Sequence, residues 1–297
     1  MTRRLRSHLP SAAAGFTLIE MMVALAIGLA VVGALVAAGI ASFANGRHAD
    51  AMVQMTEDGA LALQVMRQQV AQAGFSQPHG VGGGGMVLHR FAAIVGCEAA
   101  SFTDLNAGIL AAANCNASDP DPATPDALEL AFEGDVLPGQ ASNAILGGPG
   151  GAQPLDCLGN SFAKTHDDAT GDDYWLNDSK FYVASGSLYC HGPGHPAGAA
   201  LVQNVETLKV TYGMAAAPAA GQVVYYGSAP PPGSPLWANV VSVHLCVQVR
   251  SATPVLDRTS AATLGGWIDC RNVRRTAGDG YLRRSFATTI VLQNRLP

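Results

Sequence analysis

The 28 residues from Phe16 to Phe43 contain no proline, no cysteine and a single charged side chain, Glu20, and the 15 residues before them contain no acidic group. Such a stretch has nothing to break a helix and almost nothing to hold it in water. All six cysteines, Cys97, Cys115, Cys157, Cys190, Cys246 and Cys270, lie after it. No two form a CxxC pair, which excludes the usual zinc-ribbon and thioredoxin spacings. GxSxG and HExxH are both missing and the scattered histidines form no recognisable triad, so the chain offers no candidate for catalysis and reads as a non-enzyme without a cofactor. A net charge of −5 and a pI near 5.9 give no electrostatic reason to expect nucleic-acid binding.

What is present begins with the apolar run itself. Met21 to Ala41 is uncharged throughout, about 30 Å of helix, which matches the hydrocarbon thickness of a bilayer. Arg3, Arg4 and Arg6 precede it and predict a single span with a cytoplasmic amino end. The run is about twice as long as the h-region of a secretory signal, so cleavage after it is not expected. The cysteine distribution suits an oxidising compartment on the far side. Fifteen connectivities are possible. Spacing favours neighbours, Cys97 with Cys115, Cys157 with Cys190 and Cys246 with Cys270; buried free thiols are the alternative.

The boundary before the run reads Ala14-Gly15-Phe16-Thr17-Leu18-Ile19-Glu20. GFTLIE followed by an apolar helix resembles the class III signal of type IV prepilins and pseudopilins. The resemblance implies that a prepilin peptidase cuts between Gly15 and Phe16 and methylates the new amino terminus, Phe16. Glu20 lies about one turn away, where a carboxylate in an apolar helix is costly and usually marks a functional pairing. It is placed to meet the α-ammonium of Phe16 in a neighbouring subunit; snorkelling to the headgroups is the alternative. Ala24, Gly28, Gly33, Ala37 and Gly39 allow close helix packing.

From Asn45 to Ala73 the helical pattern continues, with Met52, Met55, Leu63, Met66 and Val70 at helical spacing. The predicted helix runs from Phe16 to Gly74, weakened at Gly46 and Gly59 by about 1 kcal/mol each. Strands are predicted at Leu128–Glu133, Phe181–Ala184, Ser187–Cys190, Val205–Tyr212, Gln222–Tyr226, Val240–Arg250 and Phe286–Gln293, with a hairpin at Ser185-Gly186. The fold class is α+β, type IV pilin-like: a long amino-terminal helix, membrane-spanning in its first half, packed on an antiparallel sheet. The expected divisions are a leader over 1–15, a membrane segment over 16–43, an amphipathic extracytoplasmic helix over 44–75 and a disulfide-bonded β-rich domain over 76–297.

Several later segments resemble the PilW family of minor pilins: MTEDGALAL at 55–63, QAGF at 72–75, FYV at 181–183, LVQNVETLKVTYG at 201–213 and RRSFATTIVLQN near the end. The resemblance does not extend to the proline-bearing insertions at 118–126 and 230–235. Other signals are weaker. Gly80 to Gly85 satisfies GxGxxG but follows a helix and lacks a βαβ unit. His191 and His195, separated by Gly-Pro-Gly, read as a loop and not as a metal site. Asp167, Asp168, Asp172 and Asp173 are weak calcium candidates whose spacing does not fit an EF-hand, and a solvated loop is the favoured reading.

The resemblance implies a minor pilin of the bacterial inner membrane, periplasmic in its carboxy-terminal domain and resident in the pilus, at the tip, after assembly. It implies priming or capping of the filament with other minor pilins and the major pilin, with a large tip adhesin as a further partner, in twitching motility and adhesion. Two alternatives remain at this point: a minor pseudopilin of a type II secretion system, and a membrane-anchored extracytoplasmic binding protein or enzyme.

Overall fold

The computed structural model describes residues 15–81, 85–89, 91–108, 115–116, 119, 121, 123–134, 153–168, 170–218, 220–257, 260 and 265–295. Arg3, Arg4, Arg6 and the rest of the leader before Gly15 lie outside them, as do the middle of the glycine run and parts of the 118–126 insertion. The chain divides into two compact units, Met1–Ala49 and Asp50–Pro297. One helix, α1, spans Leu18–Gln72 and contributes to both.

In the second unit α1 buries Met55, Ala62, Met66 and Val70, and Ala73 just past its end continues the line, a stripe at the three- and four-residue spacings that put side chains on one helical face. The helix stops where Gly74 takes φ +79° and donates its N–H to Ala131 O at 2.8 Å; glycine tolerates that left-handed conformation without a β-carbon penalty.

Among the described residues, fifteen strands follow. They are β1 (His79–Val81), β2 (Gly85–Val87), β3 (Ile94–Cys97), β4 (Ala127–Glu133), β5 (Thr165–Asp167), β6 (Asp172–Tyr174), β7 (Leu176–Ala184) and β8 (Ser187–Gly192), then β9 (His195–Gln203), β10 (Val205–Ala215), β11 (Val223–Gly227), β12 (Val240–Arg250), β13 (Gly266–Ile268), β14 (Arg274–Thr276) and β15 (Arg283–Val291). All pairings are antiparallel. One sheet runs in the order β3-β4-β7-β8-β9 and a second in the order β11-β10-β12-β15, while β1-β2, β5-β6 and β13-β14 are two-stranded ribbons. The α1 stripe, Leu128, Leu130 and Phe132 of β4, Phe181 of β7 and Val243, Leu245, Val247 and Val249 of β12 form one hydrophobic core.

Alternation on β4 predicts one buried face, yet all seven of its residues are buried. Its second face carries Glu129, whose Oε1 lies 2.8 Å from Nζ of the buried Lys180 on β7, with Asp178 Oδ2 3.1 Å from the same ammonium. Burial pushes the Glu129 carboxyl up to about 8, and Asp178 pushes the same way while Lys180 pulls it down. The outer face of β12 is covered by the β13–β14 ribbon: Trp267 Nε1 donates to Gln248 Oε1 at 2.9 Å. Three disulfides, Cys97–Cys115, Cys157–Cys190 and Cys246–Cys270, fasten loops to these sheets. The third joins β12 to the turn of that ribbon.

Two sequence expectations are sharpened. The loop expected at His191-Gly-Pro-Gly-His195 is the turn of the β8–β9 hairpin, with Gly192 opposite His195; the Pro-Gly pair closes it. Gly59 is not merely a weak point in the helix, because the Phe286 ring of β15 occupies the space that a β-carbon there would need.

Candidate functional site

The start of α1 is built by three residues. Thr17 precedes the first helical residue, and its carbonyl accepts from Met21 N at 3.2 Å. Glu20 N donates to Thr17 Oγ1 at 3.3 Å, and Glu20 Oε2 accepts from both Thr17 N and Thr17 Oγ1 at 3.1 Å. This is a capping box: a threonine and a glutamate three positions apart satisfy each other's backbone donors at the helix start, where the dipole also favours a negative charge. The pattern T-x-x-E is visible in the sequence, but reading Glu20 for its charge alone overlooks it.

Phe16, at the expected processing boundary, and Leu18, Ile19, Met22, Leu25, Leu29, Val32, Leu35, Val36, Ile40 and Phe43 are all exposed. No described residue of the chain covers this surface, and α1 is long and apolar enough to cross a membrane. Apart from the helix's own backbone and the neighbouring residues in the chain, no described atom lies within 4 Å of the position a β-carbon would take at Gly15, Gly28, Gly33 or Gly39. A helix surface so apolar is stable only in lipid or against similar helices.

The four aspartates do not converge. They lie on the β5–β6 ribbon, where Asp167 stands opposite Asp172 and His166 opposite Asp173. Asp167 Oδ2 contacts His89 Nδ1, Asp173 Oδ1 contacts His166 Nδ1 at 2.7 Å, and the Asp168 side chain is fully exposed. The expected solvated loop is the exposed end of a short ribbon, in which Asp167 faces His89 while Asp168 and Asp173 both lie beside the exposed His166. His191 Nε2 lies 3.2 Å from Pro196 O and 3.3 Å from Asn106 Oδ1.

An uncovered apolar helix with a capped start, followed by a helix-packed antiparallel domain, defines a type IV pilin-like protein. Two family models agree: residues 10–36 match the Prokaryotic N-terminal methylation motif and residues 173–294 match Type IV Pilus-assembly protein W. Together the two matches support a type IV pilus minor pilin of the PilW family, the second matched segment running from β6 through β15. Among solved structures, a type IV-like pilin from Thermus thermophilus is 12% identical, with 84% of this chain and 100% of that one covered and a TM-score of 0.37. The GspK-GspI-GspJ complex from the enterotoxigenic Escherichia coli Type 2 Secretion System is 11% identical, covering 81% of this chain and 99% of that one, with a TM-score of 0.29. No curated protein matches the chain.

Proposed function

We propose that the chain is made as a prepilin, cut between Gly15 and Phe16, methylated on Phe16 and then assembled with other minor pilins and the major pilin to prime or cap a type IV pilus. The single observation that carries this reading is the presence of a methylation motif and a PilW-type domain on one chain whose apolar helix none of its described residues covers. Before assembly the helix spans the inner membrane over 16–43, amino end inside, and the domain lies in the periplasm, the arrangement favoured by the leader arginines and by the disulfides. After assembly the helix packs among other pilin helices and the domain faces partner pilins and a tip adhesin. Glu20, held at the helix start by Thr17, meets the Phe16 ammonium of a neighbour. The PilW-type match favours a pilus over a secretion machine.

Mass spectrometry of the mature chain tests the processing step, and electron microscopy of surface pili in a strain lacking the chain tests the assembly step. The expected results are a methylated Phe16 terminus and a loss of pili restored by complementation. A different mature terminus, or normal piliation with impaired type II secretion, overturns the reading.

A further inference from the structure

His79 opens β1, His89 lies two residues beyond β2 and Glu133 ends β4. One ring nitrogen from each histidine and a carboxylate oxygen of Glu133 all lie within 4.8 Å of one another. The Glu133 carboxylate is held in place: Oε2 accepts from Ser76 Oγ and Gln77 N, each at 2.8 Å, and Oε1 lies 3.0 Å from His79 Nε2. The side chain of His89 is wholly buried, that of Glu133 nearly so, and that of His79 is 20% exposed.

His89 is fixed on every side. Its backbone N–H donates to Ser76 Oγ at 3.1 Å, its ring stacks on Tyr174 with centroids 3.7 Å apart, and the His79 ring lies 3.9 Å away. Its Nδ1 is 2.5 Å from Asp167 Oδ2. An ionised carboxylate only accepts, so this bond puts a proton on Nδ1 and, in the neutral ring, leaves the lone pair on Nε2. That Nε2 is buried and has no hydrogen-bond partner among the described residues. A lone pair left unbonded in such a place is expensive and calls for a ligand. A carboxylate behind a histidine N–H is also the arrangement that orients a metal-binding imidazole and raises its basicity.

We propose that His79, His89 and Glu133 bind a divalent transition-metal ion, zinc first among them, with Asp167 as the positioning residue for His89. Two imidazoles and one carboxylate suit zinc and its neighbours in the first transition row, whereas calcium takes oxygen ligands. Zinc bonds of about 2.0–2.1 Å require the three ligand atoms to draw closer together, which side-chain rotation of the partly exposed His79 provides. The ion replaces the His79–Glu133 hydrogen bond and ties β1, β4 and, through Asp167, β5 to one point.

The test uses the full chain in detergent, freed of metal by a chelator and titrated with zinc alone, cobalt alone or calcium alone. One equivalent of zinc is expected to bind and raise the Tm. Cobalt should give the visible absorption of a four-coordinate site, and X-ray absorption at the zinc edge should show two imidazoles. His79→Ala is expected to abolish stoichiometric binding, and Asp167→Asn to weaken it tenfold or more. Should His79→Ala not fold, the X-ray absorption of the wild-type chain decides. Binding of calcium but not zinc, zinc binding unchanged in a folded His79→Ala, or a spectrum without two imidazoles overturns the proposal.

Discussion

The ring of Phe286, on β15, lies against the backbone of Gly59, in the middle of the α1 stripe, where the β-carbon of any other residue would collide with it. Glycine inside a helix costs about 1 kcal/mol relative to alanine. Here that cost is offset by a sheet-to-helix approach that no side chain permits.

Gly59→Ala should therefore destabilise the folded domain despite its gain in helix propensity, by about 1–3 kcal/mol for overpacking. Urea unfolding of the detergent-solubilised chain measures this, and the double variant Gly59→Ala, Phe286→Ala should recover part of the helix-propensity gain. A Gly59→Ala chain as stable as wild type would mean that the ring simply moves aside.

Thr17 and Glu20 allow the two roles of the carboxylate to be separated. Gln serves at the third helical position of a capping box as Glu does, so Glu20→Gln keeps the cap and removes the charge, while Glu20→Ala removes both. If the charge meets a neighbour's ammonium, both variants lose assembly and both still insert into the membrane. Piliation by Glu20→Gln at wild-type levels, with Glu20→Ala defective, would assign the residue to capping alone.

The disulfides close segments separated by 18, 33 and 24 residues. Chain entropy alone makes each worth roughly 3 kcal/mol, with Cys157–Cys190 the largest by about half a kcal/mol over Cys97–Cys115. The wholly buried Cys190 adds the loss of core contacts. The Cys157→Ser, Cys190→Ser double variant should show the greatest fall in urea midpoint of the three paired replacements.

Glu129 predicts a pH dependence. Its carboxyl is raised from an ordinary 4.5 to about 8, first by burial and then by Asp178, so the folded chain holds this proton more tightly than the unfolded chain does. The stability it contributes is complete below about 4.5, declines as pH rises towards 8 and is gone above it. Thermal unfolding between pH 5 and 8 should show the decline, and Glu129→Gln should flatten it; an equal slope in the variant would place the titration elsewhere.

The α1 stripe and the long strands were legible because each repeats a period over many residues: Met55, Met66 and Val70 mark one helical face, and the predicted bounds of β12, Val240–Arg250, are the observed ones. The ribbons β1–β2, β5–β6 and β13–β14 have strands of three residues each, too short to show alternation. Strand β9, HPAGAALVQ, carries two glycine- or proline-type breakers and little apolar contrast; its pairing with β8 makes it a strand. The Thr17–Glu20 box was present in the local spelling, since it depends on residues three apart. The meeting of His79, His89 and Glu133 was not, because residues up to 54 positions apart are brought together by pairings that no local pattern encodes.

The bare surface from Phe16 to Phe43 makes this subunit a partitioning problem. On the proposed assembly, a free copy in water is not an available state, so each copy would reside in one of two oily phases, lipid or a bundle of like helices. Transfer between them changes apolar burial little, since acyl chains and leucines are equally apolar. The direction of transfer is then decided by minor terms: close backbone approach at Gly28 and Gly33, and whether the one carboxylate in the segment finds a cation at its destination.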